Sequence, residues 1–358
     1  MSSVEIELKL SVKPDAIPAV RQQLFQFPHD YTSPQHLTNI YFETADNQLR
    51  RWDMGLRIRG FDGHYEMTIK TAGKVIGGLH QRPEFNVPLH HPELDLAQFP
   101  DHIWPENTDL DHLQAQLNQL FSTDFNREKW LITYGESEIE VVLDQGTIFS
   151  ENRDSGSQTL PICEFELELK NGNITDVLSL ASKLASQDGL RLANKSKAAR
   201  GYALVHGLSH KNGLLHKNSL SHKTLPNVPD ELEWQQPLSV LLTEILAQWQ
   251  EQEEGWLAGL PEGKMGLVQV LQWMTKLTER QTEHLPILAL LADLLPELRA
   301  ALSPVMLSPA TVFSETMPSQ NTSSEAWSAN NSDAEIVCYS ASWLKCKLAL
   351  MQWLMVQH

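Results

Sequence analysis

The chain is 358 residues long, enough for two domains, and carries 28 Lys and Arg against 45 Asp and Glu, a formal net charge of −17. That balance speaks against nonspecific nucleic-acid binding, which is driven by phosphate neutralisation, so any anion must be held by a local basic pocket. Cys163, Cys338 and Cys346 form neither a disulfide framework nor a zinc spacing and read as reduced thiols of a cytoplasmic protein. The N-terminus has no basic-then-apolar signal pattern, and Pro286, Asp293, Pro296, Glu297 and Arg299 interrupt the leucine-rich stretch 285–302, so neither secretion nor a membrane role is expected.

The first element is a strand. Val4, Ile6, Leu8 and Leu10 alternate with Glu5, Glu7 and Lys9, and successive strand side chains point to opposite faces. Asp15 to Gln26 follows with Ile17, Val20, Leu24 and Phe25 at helical spacing. Strand alternation returns with Leu56 and Ile58 against Arg57 and Arg59, then with Tyr65, Met67 and Ile69 against Glu66, Thr68 and Lys70. Next come Phe85 and Val87 against Arg82, Glu84 and Asn86. Asp109 to Phe121, with Leu113, Leu117 and Leu120, reads as a second helix.

Three further strands set Trp130, Ile132 and Tyr134 against Arg127, Lys129 and Thr133, then Ile139, Val141 and Leu143 against Glu138, Glu140 and Asp144. The last sets Cys163, Phe165, Leu167 and Leu169 against Glu164, Glu166, Glu168 and Lys170. A third helix spans Ile174 to Gln187, and Asp188-Gly189 ends it before a closing strand at 191–193 and the Lys197 segment. The charges are sorted by sign from strand to strand, whereas a solvated face mixes signs along each strand. A shared polar interior of a closed antiparallel barrel explains this, with the helices covering the apolar outer wall. Inside, acids and bases must neutralise one another or hold ions, because unpaired buried charge costs about several kcal/mol per group. Such a lumen suits a polyanion and its metals: Glu and Asp are hard oxygen ligands for Mg²⁺ or Mn²⁺, and Arg and Lys clamp phosphates.

Residues 206–230, with His206, His210, His216 and His222 among Ser, Asn, Lys and Pro, read as a linker, the histidines as solvated rather than metal-bound. From Leu238 the apolar spacing is helical throughout and predicts a bundle, with a long loop between Thr311 and Asp333. From His210 onward there are nine Lys and Arg against sixteen Asp and Glu.

Glu5-x-Glu7-x-Lys9, Tyr41-Phe42-Glu43-Thr44, Gly55-Leu56-Arg57-Ile58-Arg59 and Thr68-Ile69-Lys70 together resemble the CYTH superfamily of triphosphate tunnel metalloenzymes. The likeness continues through Gln81-Arg82-Pro83-Glu84, Arg127-Glu128-Lys129-Trp130, Leu143-Asp144-Gln145-Gly146, Glu164-Phe165-Glu166-Leu167-Glu168 and Ser196-Lys197-Ala198-Ala199-Arg200-Gly201-Tyr202. It implies an α+β chain: a closed antiparallel eight-stranded barrel with flanking helices over residues 1–205, then a smaller all-α, CHAD-like domain over 231–358, reduced or truncated. The acidic balance of that second half sets it apart from polyphosphate-binding CHAD domains.

The activity implied is metal-dependent hydrolysis of tripolyphosphate to pyrophosphate and phosphate, with Mg²⁺ or Mn²⁺ and no organic cofactor. Glu5, Glu7, Lys70 and Glu166 would be catalytic, and Glu5 and Glu7, with Glu164 and Glu166 opposite and Asp144 beside them, would hold the metal. Lys9, Arg57, Arg59, Lys70, Arg82, Arg127 and Lys197 would bind the phosphates. Thiamine triphosphate hydrolysis or ATP cyclisation on the same tunnel is the alternative, and a non-catalytic polyphosphate scaffold a second. By charge balance alone, Lys9 and Lys129 can also be internal ion-pair partners, Glu84, Glu138, Glu140 and Glu168 balancing charge, and Glu66 and Lys170 exposed. Oligomeric state is not readable from the residues.

Overall fold

Alternation over long stretches produces long strands, and in the computed structural model eight of them close into one antiparallel sheet. Residues 3–76, 78–152, 156–206, 236–279, 286–306 and 333–357 are described. The strands are β1 (Ser3–Val12), β2 (His29–Glu43), β3 (Gly55–Phe61), β4 (His64–Lys70), the short β5 (Lys74–Ile76), β6 (Leu79–Leu89), β7 (Asn118–Tyr134), β8 (Ser137–Asn152) and β9 (Gly156–Asn171). Their order is β1-β9-β8-β7-β2-β3-β4-β6, and β6 pairs back onto β1, which removes the open edge. β5 is an extra hairpin strand on β6. The register puts Glu5 opposite Arg82 and Glu7 opposite His80 across β1 and β6, and Lys9 opposite Glu166 and Ser11 opposite Glu164 across β1 and β9.

The apolar faces of β3, β4 and β6 bury Leu56, Ile58, Met67, Ile69 and Phe85. They form one core with Leu49 of α2 (Gln48–Arg51), Leu113 of α3 (Leu110–Gln116), and Leu96, Phe99 and Trp104 of the preceding loop. Each large apolar side chain so covered contributes about 1.5–3 kcal/mol. α1 (Ile17–Leu24) buries Ile17, Val20 and Leu24 as its periodicity predicts, whereas Phe25, expected on the same stripe, follows the helix and is exposed. α4 (Ile174–Leu184) buries Val177, Leu178, Ala181 and Leu184.

One expectation needs correction. The helix expected over 109–121 is only Leu110–Gln116, capped by the Asp109 carboxylate on the His112 amide at 3.0 Å. Leu117 is already extended, and Leu120 and Phe121 belong to β7, which follows β2 to its last residue (Glu43 opposite Asn118) across an irregular step. Sheet pairing overrode the leucine spacing there. The Lys197 segment is helical. It is α5 (Lys197–Val205), capped by Ser196 on the Ala199 amide at 3.1 Å, and the short β10 (Leu190–Leu192) ends before it.

Strand alternation turns Tyr41, Phe121, Phe125, Ile148 and Ile162 toward the same interior as the charged positions, yet these are apolar. They pack with Tyr202 and Leu204 of α5. Gly201 permits that approach, since a Cβ there would lie 2.2 Å from the Phe121 ring.

Two compact units divide the chain: Met1–Val177 with Ala193–Asn212, and Leu178–Leu192 with Gly213–His358. In the second, α6 (Leu238–Leu257), α7 (Pro261–Glu279), α8 (Pro286–Met306) and α9 (Ala341–Gln357) bury Leu, Trp and Met side chains as their spacing predicts. Its interior also holds a fully buried ion pair, Lys347 Nζ at 2.6 and 2.7 Å from the two Glu253 oxygens, with Trp249 packed edge-on to Trp343. No described helix is long and apolar enough to cross a membrane. The expected linker, from residue 207 on, and the expected 311–333 loop, up to residue 332, lie outside the described residues.

Candidate functional site

The charged face of the barrel strands lines a cavity of about 530 Å³. Nine Lys and Arg side chains reach its wall against eight carboxylates, a slight excess of positive charge inside a chain whose net charge is −17. An anion pocket is thus concentrated in a chain that repels anions elsewhere.

Most of these charges are already paired. Lys9 Nζ lies 2.5 Å from Glu166 and 2.9 Å from Glu7. Lys70 pairs with Glu5 and, at 2.8 Å, with Glu84. Arg127 grips Asp144 with two bonds of 2.7 Å and reaches Glu166 at 2.9 Å. Lys197, carried in by α5, places its ammonium 2.6 Å from Asp144, 2.5 Å from Glu164 and 3.1 Å from Glu166. Arg82 pairs with Asp53 at 2.6 Å. The even-numbered positions of β6 that bring Arg82, Glu84 and Asn86 to the wall bring His80 as well.

The expected metal ligands separate into two groups. Asp144, Glu164 and Glu166 offer oxygens within 4.8 Å of one another, and all three residues are buried. Lys197 already fills the space among them as a resident cation. Asp144 and Glu164 are 0% and 1% exposed and sit behind the lining, with Glu164 also held by Arg200 at 2.5 Å. Glu5 stands six β1 positions from Ser11, the register partner of Glu164, about 20 Å along the strand. Glu5 and Glu164 therefore do not face each other, and the residue opposite Glu7 is Glu168.

The electrostatics distinguish the two groups. In the inner group burial opposes ionisation, but Lys197, Lys9 and Arg127 hold Glu166 well below the usual carboxylate range, and Arg127 and Lys197 lower Asp144. Burial likewise opposes ionisation of Glu7, and Lys9 and Lys70 outweigh it. Glu5 is the opposite case: burial, then the neighbouring Glu7 charge, push it up to about 7 despite Lys70. A carboxylate short of positive charge, one strand repeat from another and beside Glu84, is a donor set that suits a hard divalent cation. Glu5 and Glu7 are thus the less neutralised carboxylates of the cavity wall, whereas the inner triad, Glu166 included, is already neutralised and is the group that brings three carboxylates within 4.8 Å of one another among the described residues.

Arg57 and Arg59 differ from the other expected phosphate ligands. Both line the cavity, and neither has a carboxylate at ion-pair distance among the described residues. Arg59 Nε donates to Asn39 Oδ1 at 3.1 Å, and Arg57 sits opposite Tyr41 across β2 and β3. Burial, then repulsion from Arg57 and Arg127, depress Arg59 to about 10. Burial opposes the Arg57 charge too, but Tyr41, Glu84 and Glu5 outweigh it and hold Arg57 above its ordinary range.

Lining residues not foreseen as part of the site include His80, which burial and then Lys9 depress to about 4, keeping the ring neutral at pH 7. Strand parity with Arg82 and Glu84 was the signal for it. Glu140, Glu168, Glu66 and Lys170, taken as balancing or exposed groups, also reach the wall.

A closed antiparallel barrel with paired carboxylates and two arginines lacking an ion-pair partner on its inner wall forms a charged tunnel. The chain belongs to the CYTH family: the model described as "CYTH domain" matches residues 3–202. An inorganic triphosphatase of Haemophilus influenzae is 39% identical over 209 residues, 56% of this chain and 54% of that protein. The chain thus spans about half the length of this curated relative. Among solved structures, a Hippeastrum protein described as an adenylyl cyclase with dominant triphosphatase activity matches at 18% identity and TM-score 0.39, covering 57% of this chain and 96% of that one. A Pyrococcus horikoshii protein matches at 18% identity and TM-score 0.35, covering 57% and 98%.

Proposed function

We propose that the barrel hydrolyses linear triphosphates, with tripolyphosphate as substrate and pyrophosphate plus phosphate as products. The observation that carries this reading is the pair Arg57 and Arg59, half-buried in the cavity wall and without a carboxylate at ion-pair distance among the described residues, while neighbouring cations are paired. Family membership and the triphosphatase named at 39% identity support it. Arg57 and Arg59 hold the phosphate chain by forked, charge-assisted hydrogen bonds, and Lys9, Lys70, Arg82 and Arg127 set the charge along its path. Glu5 and Glu7, with Glu166, would hold a divalent ion such as Mg²⁺ or Mn²⁺, which would supply charge neutralisation at the phosphate oxygens and activate water.

The chemistry is displacement at a terminal phosphorus. The oxygen of one water molecule forms the new P–O bond, the P–O bond to the departing pyrophosphate breaks, and the water's protons pass to the solvent and the released phosphates. The protein contributes position and fixed charge more than covalent chemistry, as phosphoryl transfer generally requires. Asp144 and Glu164 act beneath the wall, orienting Arg127 and Lys197. Cys163, Cys338 and Cys346 are free thiols, which agrees with a reducing, cytoplasmic setting. Residues 1–205 hold every proposed site residue, so the helical half serves stability or regulation. The test is phosphate release from tripolyphosphate, ATP and thiamine triphosphate side by side with Mg²⁺ or Mn²⁺. Preference for tripolyphosphate supports the proposal, and preference for either organic triphosphate contradicts it.

A further inference from the structure

Glu43 is a buried carboxylate, 2% exposed, that faces no cation in an ion pair among the described residues. Its oxygens accept hydrogen bonds from the backbone amides of Thr44 at 2.8 Å, Leu49 at 2.9 Å and Arg50 at 2.9 Å, and from the Tyr202 hydroxyl at 2.7 Å. One side chain thus fastens the single turn of α2 to α5. A buried carboxylate satisfied by four donors is a rigid anchor. What it anchors is Arg50, whose guanidinium lies 5.3 Å above the Tyr202 ring and whose side chain lines the cavity. Arg50 has no carboxylate at ion-pair distance among the described residues. Its neighbour Arg51, by contrast, is tied to Asp46 at 2.7 Å and takes no part in the lining.

The register turns this into a ladder. Asn39, Tyr41 and Glu43 are alternate residues of β2 that point the same way. Asn39 holds Arg59, Tyr41 stands opposite Arg57, and Glu43 holds the turn that carries Arg50. Alternate strand residues are about 7 Å apart. Arg59 and Arg57 therefore occupy successive levels of the cavity, and the turn that carries Arg50 is fastened to the next residue of the same row, with its side chain on the cavity wall.

From this geometry we infer that Arg50 is an additional phosphate contact, which extends the anion path past Arg57 and Arg59 so that the site engages linear polyphosphates longer than three units. The inference rests on the proposed triphosphate-binding reading. The stacking on Tyr202 and the clamp on the Arg50 amide hold the guanidinium ready for an anion without a neutralising partner to displace.

The test is calorimetric binding of tripolyphosphate and tetrapolyphosphate, without turnover, in Ca²⁺ or metal-free buffer, to the full chain and to Arg50→Ala, Arg50→Lys and Arg51→Ala. Arg50 is exposed, so its variants leave the core intact. Loss of one charge-assisted contact should weaken tetrapolyphosphate by about tenfold in Arg50→Ala. Tripolyphosphate should weaken less, Arg50→Lys should recover part of the loss, and Arg51→Ala should match wild type. Equal affinities of wild type and Arg50→Ala for tetrapolyphosphate would overturn the inference while leaving the triphosphate reading standing. Equal losses in Arg50→Ala and Arg51→Ala would also overturn it, as a general surface-charge effect. Failure of the wild type to bind tripolyphosphate at all would instead bring down the reading on which it rests.

Discussion

Replacing Lys197 by Met removes the ammonium from the centre of three buried carboxylates while keeping a side chain of similar length. In the intact chain Asp144, Glu164 and Glu166 face Lys197, Arg127, Lys9 and Arg200, and Lys197 alone touches all three. Removing one partner of a buried ion pair costs about 3–5 kcal/mol, because an uncompensated charge is left in a poorly solvated place. Arg127, Lys9 and Arg200 remain, so the lower end, about 3 kcal/mol, is expected. For a unit of this size that is a fall in Tm of roughly 6–12 °C, read by tryptophan fluorescence at pH 7.5. The sign of its pH dependence follows from the carboxylates. Lys197, Lys9 and Arg127 hold Glu166 low and Arg127 and Lys197 hold Asp144 low, so the wild type carries a stabilisation above the ordinary carboxylate pKa that is lost as pH falls through the depressed values. Lys197→Met reduces that stabilisation, and the gap between the two proteins should therefore narrow toward pH 4. A Tm within about 2 °C of wild type at pH 7.5 would refute the buried-charge argument, as would a gap that widens in acid.

Three further outcomes follow. Glu7→Gln should lower tripolyphosphate turnover by roughly 10²–10³ in a protein that still melts cooperatively, as loss of one well-placed electrostatic contact does; phosphate release with Mg²⁺ checks it, and full activity would remove Glu7 from the site. In metal-free buffer, Glu5, raised to about 7, keeps a proton in the folded state that the unfolded chain gives up near 4.5, so wild-type stability should decline as pH rises from about 4.5 through 7. Glu5→Gln should flatten that slope in thermal melts with EDTA, and parallel profiles would contradict the assignment. Gly201→Ala should destabilise by driving α5 off Phe121, by about 1–3 kcal/mol, with a urea midpoint unchanged from wild type as the contrary result.

The barrel was legible because its strands carry strict alternation over long stretches, and because several charged positions find a register partner of opposite sign: Glu5 with Arg82, Lys9 with Glu166, Arg127 with Asp144. Which carboxylates face which cation was not legible, since that depends on stagger. The offset between the β1–β6 and β1–β9 pairings sets Glu164 beside Ser11 and not beside Glu5, and no one-dimensional pattern encodes it. The leucines at 117 and 120 fit a helix as well as a strand, and pairing with β2 settled them; the Lys197 segment lacks the length for periodicity to decide, and packing on Phe121 makes it a helix. Parity marked His80 as inward, but without a charge it did not stand out. Arg50 lies in a single helical turn, where no alternation applies, and only the fold brings it to Tyr202.

The central claim, that unmatched arginines in the barrel bind and position a linear triphosphate for hydrolysis, is tested most directly by kcat/KM for tripolyphosphate with Mg²⁺ in wild type, Arg57→Ala and Arg59→Ala, with pyrophosphate as comparison substrate. The account predicts turnover of tripolyphosphate by the wild type, a loss of about 10²-fold or more in each variant, and poor hydrolysis of pyrophosphate, which is too short to reach both arginines and the metal. Wild-type rates retained in both variants, or equal kcat/KM for pyrophosphate and tripolyphosphate, would contradict it.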